Sequence, residues 1–75
     1  MKSRTEIAEG EWQGAAKVVL QAAPEGVYMY VYKTASSSYA EEDHLQDTFD
    51  ICKEICTERF QIPADAWVDT KEYEQ

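Results

Sequence analysis

Hydrophobic and polar positions change period twice along this chain, and each change marks an element. From Trp12 the pattern alternates with period two. Trp12, Ala16, Val18, Leu20 and Ala22 share one parity; Gln13, Lys17, Val19 and Gln21 share the other. That alternation predicts a strand. Ala23, Pro24, Glu25 and Gly26 predict a turn, because proline presets φ and glycine supplies the positive φ that closes it. Residues 27–33, Val-Tyr-Met-Tyr-Val-Tyr-Lys, form a second strand rich in β-branched and aromatic side chains. Residues 11–34 are thus a β-hairpin. Residues 1–10 are polar and read as a flexible start.

Two registers fit the turn. A three-residue loop pairs Ala23 with Val27 and sets Val18, Leu20 and Ala22 on one face with Tyr28, Tyr30 and Tyr32. A two-residue loop slips the strands by one, so that the Tyr row joins Lys17, Val19 and Gln21. Either way the second strand shows Val and Met on one side and three Tyr on the other. One helix covers one side only.

Residues 35–46 break the period, with Ser36 to Ser38 and then Glu41, Glu42 and Asp43, and lead into a short strand at 44–46. The period then becomes helical. Phe49, Ile51, Cys52, Ile55, Cys56, Phe60 and Ile62 fill one half of the wheel. Asp47, Asp50, Glu54 and Glu58 line the other half. Asp47 is the expected N-cap and Asp50 complements the helix dipole. Pro63 cannot continue the helix, so the helical region is 47–62. Ala64 to Ala66 forms a tight turn and residues 67–70 return as a last strand within a 63–75 exit. The predicted fold is a single α+β domain, a small mostly antiparallel sheet with one amphipathic helix on one face.

At 75 residues the chain is one domain with a thin stability margin. A 44% hydrophobic content still supplies a core and argues against disorder. The formal net charge is −8. Residues 1–39 balance four acids against four bases, whereas residues 40–75 carry eleven acids and three bases, so the whole excess lies in the second half. Such a surface does not favour phosphate backbones, so no direct nucleic-acid partner is expected. No apolar run approaches a membrane span of ~20 residues. The two cysteines, four apart on one helix, are poorly aimed for a disulfide. Two free thiols place the protein in a reducing compartment, the cytoplasm.

Candidate chemistry is sparse. Cys52 and Cys56 could share a soft metal, with His44 as a third ligand, but zinc wants three or four ligands and both thiols fall on the apolar half of the helix. They read as core. His44 has acids before it and no nucleophile or Gly-rich oxyanion loop nearby. The three glycines match no phosphate-binding spacing. No catalytic, metal or cofactor site is expected, and the chain reads as non-enzymatic. Two surfaces remain: the acidic face Asp47, Asp50, Glu54 and Glu58, suited to a basic partner protein, and the face of Tyr28, Tyr30 and Tyr32, suited to another protein or to a homodimer. The bland reading of the first is a solvated helix side, and of the second a half-exposed sheet.

Asp47, Thr48 and Phe49, the run Glu58-Arg59-Phe60-Gln61-Ile62-Pro63 and the later Trp67 resemble the helix and exit of small uncharacterised bacterial proteins, a domain of unknown function. Those carry a β-hairpin, a Thr-initiated acidic helix, an aromatic-Gly-Ile exit and a Trp. Here Gln61 stands where the resemblance would put Gly. The resemblance covers about half the chain, implies an α+β fold and a bacterial source, and implies no activity.

Overall fold

The computed structural model describes residues 4–69. Five strands, one helix and one 3-10 turn follow in the order β1 (Thr5–Trp12), β2 (Ala15–Ala23), β3 (Gly26–Tyr32), β4 (Glu42–Gln46), α1 (Phe49–Phe60), the turn Ala64–Ala66, and β5 (Val68–Asp69). The strands form one antiparallel sheet in the order β4-β3-β2-β1-β5. α1 packs across one face of this sheet. The fold is the predicted α+β, with more strands than the sequence suggests.

The largest departure is at the start. Residues 5–10 are not a flexible lead but most of β1, which lies inside the sheet between β2 and β5. Trp12 ends β1 instead of opening the next strand. Gln13 and Gly14 turn the chain, Gly14 at a φ of 90°, and β2 starts at Ala15. The cause is an unusual inward face. β1 turns Glu6 and Ala8 toward the helix, 7% and 0% exposed, and Ile7 outward. An inward Glu and an outward Ile invert the pattern by which a strand is normally recognised.

The hairpin takes the two-residue loop. Ala23 pairs with Gly26, Val19 with Tyr30 and Lys17 with Tyr32. Gly26, at a φ of 151°, lies against the backbone carbonyl of Gln46, where any Cβ would collide. Glycine is therefore needed within the strand itself, at its contact with β4, and only Pro24 and Glu25 are left for the loop. Val18 and Leu20 then share the inner face with Val27, Met29 and Val31, all 5% exposed or less.

The predicted strand at 44–46 starts earlier, at Glu42, and residues 33–41 connect it to β3. α1 runs inside the predicted 47–62. Its N-cap is Thr48, not Asp47: the Thr48 Oγ1 accepts a hydrogen bond from the Ile51 N–H at 3.1 Å. Asp50 does lie in the first turn. Gln61 caps the C-terminus in the left-handed region, φ 62° and ψ 32°. Cys52, Cys56, Phe60 and Ile62 are buried as predicted, while Ile51 is exposed. β5 falls within the predicted 67–70; Thr70 and the rest of the exit lie outside the described residues.

The core is the layer between sheet and helix. Leu20, Met29, Ile62, Val18, Val31, Cys52 and Cys56 fill it, with Trp12, Phe49, Ile55 and Trp67 packed around it. Full burial of each large aliphatic side chain stabilises by about 1.5–3 kcal/mol. At β1, one charged contact joins the two layers. Glu6 accepts from Lys53 of α1 at 2.7 Å and from Arg4, and Arg4 lies over the Phe49 ring, 4.1 Å from its centroid. No helix among the described residues is long and apolar enough to cross a membrane.

Candidate interaction surface

In an antiparallel sheet, residues paired across strands share a face. The face turned away from α1 is therefore read directly from the register. One row is Val68, Ile7, Val19, Tyr30 and Asp43. The row to one side is Thr5, Gln21, Tyr28 and Leu45; on the other lie Glu9, Lys17 and Tyr32. Its middle is apolar. Ile7, Val19 and the three tyrosines are half-buried, and Leu45 and Val68 are 47% and 50% exposed.

The tyrosines are held in place. Tyr28 and Tyr30 stack with centroids 6.0 Å apart and planes 18° apart. Lys17 Nζ sits 4.4 Å from the centroid of the Tyr32 ring. The Tyr28 hydroxyl donates to the Glu25 carboxylate, which raises the tyrosine's pKa and lowers the glutamate's. Tyr39, 74% exposed in the connection before β4, borders a shallow hollow of about 420 Å³ with Tyr30 and Tyr32. The result is an aromatic and aliphatic plateau bordered by Glu9, Glu25 and Asp43.

Asp47, Asp50, Glu54 and Glu58 are all exposed. The last three lie on the side of α1 opposite Cys52 and Cys56, so the sheet and helix separate the acidic stripe from the Tyr row. The two surfaces of the sequence reading do not merge into one site.

The thiol and histidine candidates also stay apart in role. Cys52 and Cys56 are free and fully buried. Burial pushes the Cys52 thiol up to about 11. Burial, with Cys52 beside it, pushes Cys56 up to about 12. The Cys56 thiol lies 3.6 Å from the Met29 sulfur. Both are protonated core groups, poor as nucleophiles or ligands. His44 lies on β4, and its Nε2 sits 3.0 Å from Glu42. Glu42 also takes both Arg59 Nη atoms, at 3.1 and 3.3 Å, and Lys33 at 3.5 Å. The Arg59 guanidinium, then His44, holds the Glu42 carboxyl down to about 2. This cluster ties β4 to α1. Among the described residues, no group of three His, Cys, Asp or Glu side chains is placed to hold a metal.

No family model, curated protein or solved structure matches the chain. The surface must be read on its own chemistry. Sequence reasoning had found the tyrosines, and Val19 in the two-residue register. It missed Ile7, hidden in a segment read as a flexible lead, and Leu45 and Val68, each a lone apolar residue in a short strand. The signal for Leu45 was its parity with Asp43, which places both beside the Tyr row once residues 42–46 pair with β3.

Proposed function

We propose that this is a non-catalytic protein-interaction module, acting in the cytoplasm, that binds another protein through the outer face of its sheet. The observation that carries this reading is the joining of Tyr28, Tyr30 and Tyr32 with Ile7, Val19, Leu45 and Val68 in one plateau that no helix or strand among the described residues covers. The strands, of eight, nine, seven, five and two residues at about 4.8 Å spacing and about 3.3 Å rise, span an area on the order of 500 Å². That is below the ~800 Å² per partner of a standard interface and in the range of small, transient ones. Tyrosine suits such a role because its ring is apolar while its hydroxyl stays hydrated. The acidic border selects a partner whose apolar patch is flanked by Lys or Arg. The two unreactive thiols support a reducing compartment.

The test is capture of partners from cells of the source organism by the tagged full chain, beside the variant Val19→Glu/Tyr30→Glu and the variant Asp50→Lys/Glu54→Lys/Glu58→Lys. Circular dichroism and a thermal melt confirm that each variant is folded. The sheet-face variant is expected to lose the partner and the helix variant to keep it. Recovery of the same partner by a folded sheet-face variant overturns the reading. Loss only in the helix variant transfers the role to the acidic stripe.

A further inference from the structure

β4 ends the strand order, and among the described residues no strand pairs with its far side. It contains no proline, and its register with β3 runs unbroken from Glu42 to Gln46. A row of unpaired backbone N–H and C=O groups is a template for a further strand. Which strand fits depends on the side chains that flank the edge. Toward α1 stand Glu42 and His44, paired with Val31 and Met29 of the inner face. The Glu42 charge is already met by Arg59 and Lys33. Arg59 also fixes the course of the helix. Only Asp47 and Thr48 separate β4 from α1, and near its far end Arg59 is back at Glu42, so α1 runs antiparallel to β4 with one flank beside it. Lys53, bound to Glu6, fixes the other flank over β1. Ile55 and Ile51 precede Arg59 by one and two steps of four and continue the β4 flank, Ile55 half-buried and Ile51 36% exposed. The inner side of the edge is therefore aliphatic, with its acid neutralised.

The outer side differs. Leu45 is 47% exposed there. Asp43 is exposed and makes no ion pair among the described residues. Glu41 and Asp47, both exposed, stand at the two ends of the strand. Charge of this kind protects an edge against arbitrary strands. It also selects among them. A second copy of residues 41–47 brings four acids and no Lys or Arg, so it is repelled. A strand with bases on its outer side is attracted at Asp43 and at both ends.

We propose that the β4 edge takes up an extended segment of a partner protein as a sixth, antiparallel strand, with basic residues on its outer side and aliphatic residues on its helix side. Backbone hydrogen bonds supply the attachment and the alternating side chains supply the choice. The outward bases meet Asp43, Glu41 and Asp47, and an outward apolar residue meets Leu45. The inward aliphatic residues cover Ile55 and Ile51. The proposal does not rest on the outer face as a docking site, since a lone strand that pairs with β4 needs nothing from β1 or β2.

The probe is the end-blocked peptide Lys-Val-Tyr-Ile-Arg-Thr-Lys, titrated to millimolar concentration into the full chain and followed by backbone amide shifts. Antiparallel to β4, its bases meet Asp47, Asp43 and Glu41 and its Tyr meets Leu45, while Val, Ile and Thr face α1. Saturable binding is expected, with the largest shifts at residues 42–46. Asp43→Lys is expected to weaken it about 2- to 30-fold. Asp65→Lys, the same change of charge in the turn before β5, is expected to leave it unchanged. Exchange of the peptide's Arg for Glu should weaken binding to the wild type and restore it to Asp43→Lys. Two further peptides carry N-methyl groups, one on Val, Ile and Thr, the other on Tyr and Arg. Alternate N–H groups of a strand point to opposite edges, so one of these peptides should lose binding and the other keep it. Absence of saturable binding overturns the proposal. So does equal affinity of the two methylated peptides, equal affinity of Asp43→Lys and wild type, or a set of shifts centred away from residues 42–46.

Discussion

Gln61 holds the left-handed conformation, φ 62° and ψ 32°, that ends α1. Its N–H reaches the Thr57 carbonyl at 3.1 Å, and the next N–H reaches Cys56 at 3.4 Å. The geometry is the one glycine adopts at no steric cost. Gln61 is exposed, so its side chain gives little back. Gln61→Gly is therefore expected to raise stability by about 0.5–1 kcal/mol, read as a higher urea midpoint with an unchanged slope. A lower midpoint would show that the glutamine side chain holds the cap. The same scale explains the two cysteines. Four apart on one face, they meet Met29 and the sheet and act as small hydrophobes. That much was legible, because both fell between Phe49, Ile55 and Phe60 on the wheel.

At the scale of elements, β1 is held to the helix by Glu6. Its side chain is 9% exposed and takes Lys53 and Arg4. Burial alone would raise its pKa, but the hydrogen bonds from Lys53 and Arg4 together hold it below the ordinary value. Glu6→Gln is expected to cost about 1–2 kcal/mol, because the Lys53 ammonium loses its counter-charge in a partly buried place. Glu6→Leu/Lys53→Met, which removes both charges, should recover much of that loss in the same thermal melts; a double variant no better than Glu6→Gln would show that the pair is not coupled. This tie is also why β1 was illegible. A charge facing a core cannot be told from a solvated one without knowing that Lys53, far along the chain, comes to meet it. The hairpin register failed to resolve for a similar reason. Pro24, Glu25 and Gly26 permit two loops, and the choice follows from the approach of Gln46 to Gly26. The helix and β3 were legible because their signals are local: a 3.6-residue period, a proline stop, and a run of alternating Tyr, Val and Met.

For the whole molecule, acid is the informative perturbation. Glu42 is held near 2 against an ordinary 4.5, first by Arg59, then by His44. A depressed carboxylate contributes stability that is complete above its unfolded value and is lost as pH falls through the folded one. The excess of acids works oppositely, since their protonation relieves repulsion across a chain of net charge −8. A comparison of wild type with Glu42→Gln separates the two. The wild type's advantage in urea midpoint should be constant above about pH 5.5 and shrink between 4.5 and 2; an advantage that does not change over that window would show that the Arg59 and His44 contacts do not stabilise Glu42.

The placement of β5 carries a consequence in time. β1 to β4 form a meander in which each strand pairs with the next, so four strands can assemble from neighbours as they appear. β5 instead returns to β1, pairing Val68 with Ile7 and Asp69 with Glu6. That contact closes a loop of nearly the whole described chain, and its entropic cost falls last and largest. Completion of the sheet therefore waits for β5. Until β5 docks, the free side of Glu6 and Ile7 is an open edge beside that of β4, so the nascent protein offers there a site for strand exchange that β5 later occupies.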